Sequence, residues 1–483
     1  MTTTADEAAA PSDTTPERAV TGRLRGSLGV ASIVFIVVAA ASPLGVIGGP
    51  VPLGIANGNG AGFPSTYVIA TGVLLLFAVG FTAATPFVRS AGAFYAYVDK
   101  GLGRAAGLGT AFAALLSYLT LEAGVFGLLG PALDALLHSY GVPSVPWWVY
   151  ALVGLVAVGV LGYFNISVSG RVLAVLLVAE VLIVLALDAV VVFGHGGGPE
   201  GFSTGIVTPS QIVSGAPGFA ILFAILSFIG FEATAVFRDE AKNPNRTIPR
   251  ATYISLIAIG LFYTISSWVL ISANGQSHIV EKAAKDPGNI LATTAGTYLG
   301  VVGEHIIQVL FTTSLFACIL SFHNIGTRYF FSLSNKRVLP AALGQAHPRW
   351  GSPARASLLT GVIVLALLLL ATVLRLDPIT QFYTWLGGIS SVGVVLLLVI
   401  TSVAVIAIFR KEDHGLGRWR TLVAPILGLV GLIAFLVVIL FNLPTLVGES
   451  GYGPFSIGVV ALLAVAFGLG PVVAAIRKDA ELS

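Results

Sequence analysis

Glu232 is the residue of this chain whose type and position point most directly to chemistry. It lies near the middle of an apolar run, Pro217–Phe237, where a carboxylate costs roughly 2.5–3.5 kcal/mol on insertion scales. Gly230, two residues earlier, weakens the helix at the same level. The pattern predicts a function for Glu232. The alternative is a neutral Glu that caps backbone amides freed by a break in the helix.

Other polar residues at comparable depth are Tyr118 and Glu122. They are four residues apart, which places them on one face of a helix. Glu122 either faces a binding pocket and selects a cationic group, or pairs with a neighbouring helix. His323 is isolated in another apolar run, and we expect it to be structural.

The elements that position these residues are membrane-spanning helices. Hydrophobic residues make up 56% of the chain, charged residues 10%, and mean hydropathy is +0.94, far from values typical of soluble proteins. Continuously apolar runs of about 20 residues predict helices and exclude barrel strands, which alternate. Twelve spans are predicted: Gly29–Gly48, Ser65–Pro86, Ala105–Leu137, Pro146–Phe164, Val172–Phe193, Pro217–Phe237, Ala251–Ile271, Val302–Phe331, Ala356–Leu374, Thr380–Phe409, Leu422–Phe441 and Phe455–Ile476.

The distribution of positive charge predicts the orientation of these spans. With the N-terminus inside, all but three of the 25 Lys and Arg residues fall on the cytoplasmic side, as the positive-inside rule requires. The exceptions are Lys282, Lys285 and Arg375. Both termini are therefore predicted to be cytoplasmic. The net charge of +3 reflects this topology and gives no reason to expect nucleic acid as a partner.

Several classes of protein fit poorly. Cys318 is the single cysteine, so neither a disulfide within the chain nor a Cys-based metal site is expected. The seven His residues are scattered, which argues against a membrane-embedded enzyme. The repeated pore-lining charges or filter loops of a channel are not evident. We predict no enzyme activity, no metal and no cofactor.

The first and sixth spans carry related interruptions. Ser42, Pro43 and Gly45 interrupt the first span, and Ser227, Gly230 and Glu232 interrupt the sixth. Paired interruptions at matching positions of two halves indicate a transporter binding site, while kinks or helix packing are the alternative for any single Gly or Pro. We predict a transport core over residues 28–409, with inverted repeats at about 28–194 and 216–409. Helices eleven and twelve, residues 420–477, then stand outside the repeats, between tails at 1–27, predicted to be disordered, and 478–483. Thr247 and Pro249 predict the start of the seventh helix.

Three segments resemble a known family. The string GFEATAVFRDEAKNPNRTIPRA, which begins at Gly230, closely resembles the end of the sixth helix and the start of the seventh in permeases of the amino acid–polyamine–organocation (APC) superfamily. AGAFYAYVDKGLGR, from Ala91, and HNIGTRYFFSLSNKRVLPAAL, from His323, agree with it. The resemblance implies a leucine-transporter-like fold with a 5+5 inverted repeat and two additional helices. It also implies secondary active uptake or exchange of amino acids or related amines by alternating access.

The same resemblance implies a substrate site at the two interruptions. First-helix amides would hold a substrate carboxylate, because helix N-termini favour anions; the matching positions are Ser42, Pro43, Leu44 and Gly45. Many relatives have Gly-Ser-Gly where this chain has Pro43, Leu44 and Gly45, and Pro43 has no N–H to donate. The remaining predicted substrate contacts are the carbonyls of Leu226 and Ile229, the break at Gly230, Phe228 as an aromatic lid or packing residue, and Tyr118 and Glu122.

Coupling is assigned by the resemblance to Glu180 and Glu232. Glu232 occupies the position of a proton sensor in acid-dependent antiporters, and Glu180 stands where proton-coupled and cationic amino acid relatives carry a Lys. Glu180 would carry the coupling proton, contribute oxygen to a cation site, or pair with a polar group. The expected partners are an amino acid or amine, a proton and the lipid bilayer of the cytoplasmic membrane, for a monomer or homodimer. Alternatives are a polyamine permease, sodium coupling, or a transport-inactive receptor.

Overall fold

The computed structural model describes residues 28–88, 93–164, 170–236, 241–412 and 415–477. The tails at 1–27 and 478–483 lie outside the described residues, as do Arg89 and Arg238 of the predicted cytoplasmic loops. Within the described residues the chain is helical, apart from an isolated parallel bridge between Leu28 and Ala241.

The α-helices differ widely in length, from one turn to 46 residues. In chain order they are α1 (Val30–Ala40), α2 (Pro43–Gly48), α3 (Pro50–Gly54), α4 (Phe63–Ala84), α5 (Ala93–Leu102), α6 (Arg104–His138), α7 (Trp147–Tyr163), α8 (Gly170–Ala189), α9 (Pro209–Ile212), α10 (Pro217–Phe228), α11 (Ala233–Val236), α12 (Pro244–Asn274), α13 (Ile279–Lys285), α14 (Ile290–Asn335), α15 (Ala354–Val373), α16 (Thr384–Lys411), α17 (Ala424–Leu446) and α18 (Pro454–Ile476). Short π-helical stretches cover Ile55–Asn59, Val190–Gly194, Pro378–Tyr383 and Trp419–Val423, and 3₁₀ turns cover Gly60–Gly62, Thr85–Phe87, Gly205–Val207 and Ala341–Gly344.

The predicted class, an all-α membrane protein with twelve spans, is confirmed. Eleven helical stretches within the described part of the chain are long and apolar enough to cross a membrane, and α7 is an apolar helix of 17 residues. Each coincides with one predicted span. The prediction succeeds because every residue of such a run must avoid unsatisfied polar groups in hydrocarbon, so length and continuity of apolar sequence suffice to find it.

Prolines define many of the helix starts. Pro43, Pro217, Pro244 and Pro454 each occupy the first turn of a helix, where a missing N–H is harmless and the fixed φ angle suits the helix. The predicted start of the seventh helix at Thr247 and Pro249 was wrong. The helix starts at Pro244, and Pro249 lies inside it.

The centre of the bundle is formed by α6 together with α10 and α11, which are the most enclosed spans. Helix α6 packs against α14, α16 and α18, and α10 packs against α16 and α17. Small residues permit close contact between α6 and α18: a Cβ atom added to Gly470 would lie 2.1 Å from the backbone nitrogen of Gly109. Such contacts are typical of helix association in membranes.

The two central interruptions are present in the structure. Between α1 and α2, Ser42 adopts the left-handed conformation with φ 51° and ψ 69°. Between α10 and α11, Ile229 is extended with ψ 129°, and Gly230 has φ 113°. Gly230 is required there because an L-residue with a side chain rarely adopts such an angle.

The interrupted helices are also joined at one end of the bundle. The backbone N–H of Lys242 donates to the carbonyl of Leu28 at 3.0 Å, as part of the bridge between Leu28 and Ala241. Leu28 immediately precedes the first span, and Ala241 follows the sixth. We call this contact the Leu28–Ala241 bridge.

The backbone at Gly230 generates a stability prediction. A Cβ atom at this position would meet nothing closer than 3.7 Å, so Gly230→Ala should destabilise the fold through the φ angle alone, by about 1–2 kcal/mol. Gly72→Ala is the matched control, because Gly72 is helical and an added Cβ would have no heavy atom within 4 Å. This variant should be slightly more stable than the wild type. Thermal unfolding of the purified protein tests this; equal midpoints for the two variants would contradict it.

Candidate functional site

The break in the first helix exposes backbone donors. Pro43 begins α2 and has no N–H, while the Val46 N–H bonds to the Ser42 carbonyl at 2.9 Å. The first-turn amides of Leu44 and Gly45 therefore have no acceptor within the helix. All six residues of α2 are buried, so these amides need partners from elsewhere in the protein.

Glu180 on α8 supplies one of these partners. Its Oε2 accepts a hydrogen bond from the Ser314 hydroxyl at 2.7 Å, and its carboxylate also interacts with the Leu44 backbone amide. The Ser314 hydroxyl lies 2.7 Å from the Ser42 hydroxyl, which also donates to the Ser314 carbonyl at 3.2 Å. Glu180 itself is only 5% exposed. Glu180 thus connects α8, α14 and the break in the first helix through oxygen atoms.

Glu232 supports the second break. Its Oε2 accepts from the Gly230 N–H at 2.9 Å, and its Oε1 accepts from the Tyr118 hydroxyl at 2.7 Å. This is the geometry expected of a Glu that caps a freed amide. Tyr118, for which a substrate contact is predicted, connects α6 to the break and packs against Phe322 and Tyr329.

The carbonyls at this break are partly occupied. The Ile229 N–H donates to the Leu226 carbonyl at 3.3 Å, and the Phe231 N–H donates to the Phe228 carbonyl at 3.2 Å. The Leu226 carbonyl, a predicted ammonium acceptor, keeps one lone pair free. The helix C-terminus at Phe228 and Ile229 carries partial negative charge, which favours a cation.

The side chains of Glu122 and Phe228 contact other helices and do not line the cavity between the breaks. Glu122 Oε1 is 2.7 Å from His323 Nδ1, and His323 Nε2 is 2.9 Å from the Ser357 hydroxyl. These contacts correspond to the second alternative for Glu122, pairing between helices, and to a structural His323. The ring of Phe228 is buried against Tyr67 and Tyr263, as expected of a packing residue rather than a lid.

A small cavity lies between the two breaks. Its volume is about 40 Å³, room for a few water molecules and too little for an amino acid. Four predicted residues line it: Ser42, Gly45, Leu226 and Ile229. Pro43, Leu44, Gly230, Phe228, Tyr118 and Glu122 are not among the lining residues.

The sequence did not identify the other walls of the cavity. They include Val125 and Leu128 of α6, Leu315, Cys318 and Phe322 of α14, and Tyr383 before α16. Each lies in a predicted span without a feature that sets it apart from its neighbours, and only the packing of helices shows which face meets the break. Tyr383 carried a weak signal, as a hydroxyl-bearing aromatic at the start of the tenth span.

Larger clefts open at the ends of the bundle. Their volumes are about 950, 830 and 800 Å³, but loops and helix ends line them and neither central break does. Size alone therefore does not identify the functional site, and the two breaks provide the better criterion. Within the described residues no group of three His, Cys, Asp or Glu side chains could hold a metal ion.

Comparison with known proteins gives consistent results. The family model described as "Amino acid permease" matches residues 28–466. The chain is 23% identical to a low-affinity putrescine importer of Escherichia coli (strain K12), over 62% of this chain and 66% of that protein. It is 27% identical to a probable GABA permease of Pseudomonas aeruginosa, over 68% and 67%, and 24% identical to a serine/threonine exchanger of Bacillus subtilis (strain 168), over 64% and 69%. The chain thus covers about two thirds of the length of each of these relatives.

The contact between Tyr118 and Glu232 can be tested by a double-mutant cycle. Tyr118→Phe and Glu232→Gln should each lower stability, and their combined effect should be non-additive by about 0.5–3 kcal/mol, because the residues share a buried hydrogen bond. Tyr67→Phe, which removes the buried hydroxyl that pairs with Ser227 at 2.9 Å, is the control and should add to Glu232→Gln. Additivity in both cycles, measured by denaturant unfolding in detergent, would refute the contact.

Proposed function

Because the chain belongs to the amino acid permease family of the APC superfamily, whose members are transporters and not enzymes, we propose that it moves amino acids across the cytoplasmic membrane. Transport would occur by alternating access, coupled to protons. The observation that carries the proposal is the cavity where the two helix breaks meet. Donors of α2 lie on one side and the C-terminal end of α10 on the other.

The charges around the cavity suit a substrate that carries an amino group. The C-terminal dipole of α10 attracts an ammonium group, and Ile229 and Leu226 supply carbonyl oxygens. The three relatives compared above are named for putrescine, GABA, and serine or threonine, which all contain a primary amine. A substrate carboxylate would bind at the N-terminal turn of α2, through the Gly45 amide and, once it is released, the Leu44 amide.

Glu180 provides a route to proton coupling. In its ionised form the carboxylate lies beside the Leu44 amide and places a negative charge at the N-terminus of α2, where it repels a substrate carboxylate. Protonation removes that charge. Proton binding and carboxylate binding therefore favour each other, and by linkage each raises the affinity for the other. A sodium ion among the same oxygens of Glu180, Ser42 and Ser314 is the competing form of coupling.

One observation favours a second candidate, a permease for amines without a carboxylate. Pro43 removes one anion-binding amide, and the carboxylate of Glu180 lies beside another, that of Leu44. Few amides of α2 therefore remain for a substrate carboxylate. A diamine would need only cation-binding groups, which the end of α10 and Glu180 itself supply. The proposed topology is the same for both candidates: both termini lie in the cytoplasm, and the inverted repeats cover residues of about 28–194 and 216–409.

Transport by the purified chain in liposomes tests the function and distinguishes the candidates. With an inward proton gradient, we expect radiolabelled amino acids to accumulate, and neither a sodium gradient nor equal solutions on both sides to support accumulation. Putrescine should be tested in parallel. If putrescine accumulates and no amino acid does, the second candidate is favoured. If accumulation depends on a sodium gradient, sodium and not the proton is the coupling ion.

The absence of transport for every substrate would leave a receptor as the alternative. Cys318 checks this case, because it is the single cysteine of the chain and lines the cavity. A ligand that protects Cys318 from a thiol reagent without being transported would indicate a receptor and overturn the transport proposal.

The coupling role of Glu180 predicts a specific loss. Glu180→Gln keeps the shape of the side chain but cannot be ionised, so proton-driven accumulation should fall to the level reached without a gradient, while exchange continues. Asp188→Asn is the matched control: Asp188 lies on the same helix, is buried, and accepts from one serine hydroxyl, that of Ser266, at 2.7 Å. Unchanged accumulation in Glu180→Gln, or equal loss in Asp188→Asn, would contradict the role.

A further inference from the structure

A basic cleft lies at the helix ends predicted to face the cytoplasm. It has a volume of about 800 Å³ and is formed by the end of α4, the start of α12 and the stretch before α17. Three arginines line it, Arg246 and Arg250 of α12 and Arg420 before α17. Its other walls include the rings of Phe87 and Tyr253. We call it the arginine cleft.

Among the described residues, no acidic side chain neutralises the three positive charges. No Asp or Glu lines the arginine cleft, and none of the three arginines forms an ion pair within the part of the chain that the structure describes. All three side chains are exposed. The positive-inside rule accounts for arginines on this face, but not for their convergence on one cleft without an acid.

The local backbone makes this arrangement less favourable still. Arg246 lies in the first turn of α12, and Arg420 lies in the first turn of the stretch Trp419–Val423, where the helix dipole disfavours cations. Arg246 and Arg250 are four residues apart on one helix face, a spacing at which like charges repel. A bound anion would remove all of these penalties at once.

The surface above the arginine cleft is apolar and exposed. On α12, Ile254, Ile257 and Leu261 continue the face of Arg250, with exposures of 47%, 44% and 57%. On the eleventh span, Val423, Leu427 and Val430 continue the face of Arg420 in the same way, and are 41%, 47% and 59% exposed. Helix α4 packs against both α12 and α17. The two stripes therefore flank α4 and lead from the hydrocarbon region to the three arginines.

We propose that the arginine cleft binds the headgroup of an anionic phospholipid from the cytoplasmic leaflet, with its acyl chains along the flanking apolar stripes. The phosphate would contact Arg246, Arg250 and Arg420, and guanidinium groups suit it because they donate two parallel hydrogen bonds to phosphate oxygens. Phe87 and Tyr253 also line the cleft, and aromatic rings are enriched where a protein meets lipid headgroups. This site is separate from the central cavity, and the proposal does not depend on the substrate.

Lipid retention by the full-length purified protein tests the proposal. Dioleoyl phosphatidylglycerol or dioleoyl phosphatidylcholine is added in a neutral detergent, and bound lipid is counted by native mass spectrometry alongside thermal unfolding. We expect one phosphatidylglycerol to be retained and to raise the unfolding temperature, with phosphatidylcholine much weaker. Substitution of Arg246→Gln, Arg250→Gln and Arg420→Gln together should weaken phosphatidylglycerol binding about a hundredfold, given the contribution of each arginine near an anionic lipid.

A second triple variant controls for total charge. Arg328→Gln, Arg349→Gln and Arg410→Gln remove the same charge from exposed positions on the same predicted face but outside the cleft, and this variant should retain phosphatidylglycerol as the wild type does. Equal weakening in both triple variants would overturn the proposal in favour of diffuse attraction. Inorganic phosphate at the same concentration distinguishes a free anion: stabilisation equal to that by phosphatidylglycerol, lost in the cleft variant, would overturn a lipid site.

Discussion

The structure depends on satisfying backbone groups where helices are interrupted inside the membrane. An unbroken helix bonds its own amides and carbonyls, but each break releases several of them into a region without bulk water. In this chain, carboxylates on other helices or just beyond the break take up the released amides. Glu232 accepts from Gly230, and Glu180 interacts with Leu44. The titratable groups and the breaks therefore form one system, and a change in the charge of either Glu changes the stability of the adjacent break.

This coupling explains why a structural and a functional reading of these carboxylates are compatible. A Glu that only capped an amide could be replaced by any stable acceptor, without consequence for transport. Here Leu44, whose amide lies beside Glu180, adjoins Gly45, which lines the cavity proposed to hold the substrate, so under that proposal the carboxylate of Glu180 and the substrate carboxylate compete for the same donor. The contact from Tyr118 to Glu232 adds a third helix to the arrangement.

Much of the fold could be predicted from the sequence because its signals are continuous. A run of apolar residues long enough to cross hydrocarbon identifies a helix whatever surrounds it, and Pro43 and Gly230 mark breaks through their own backbone chemistry. The contact partners of individual side chains could not be predicted in this way. Tyr118 and Glu122 were correctly placed on the same helix, yet one contacts Glu232 and the other His323. Spacing along a helix gives the face of a residue, but the neighbour it meets depends on how distant segments pack. The same limit hid Tyr383 and Cys318.

The Leu28–Ala241 bridge has a mechanical consequence. It joins the segment before the first interrupted helix to the segment after the sixth by a backbone hydrogen bond of 3.0 Å, from Lys242 to Leu28. While this bond is formed, the two interrupted helices are constrained to move together at this end. Opening of the bundle on that side must therefore move both helices as one unit or first break the hydrogen bond from Lys242 to Leu28. In the second case, rupture of this backbone contact would be a step in opening.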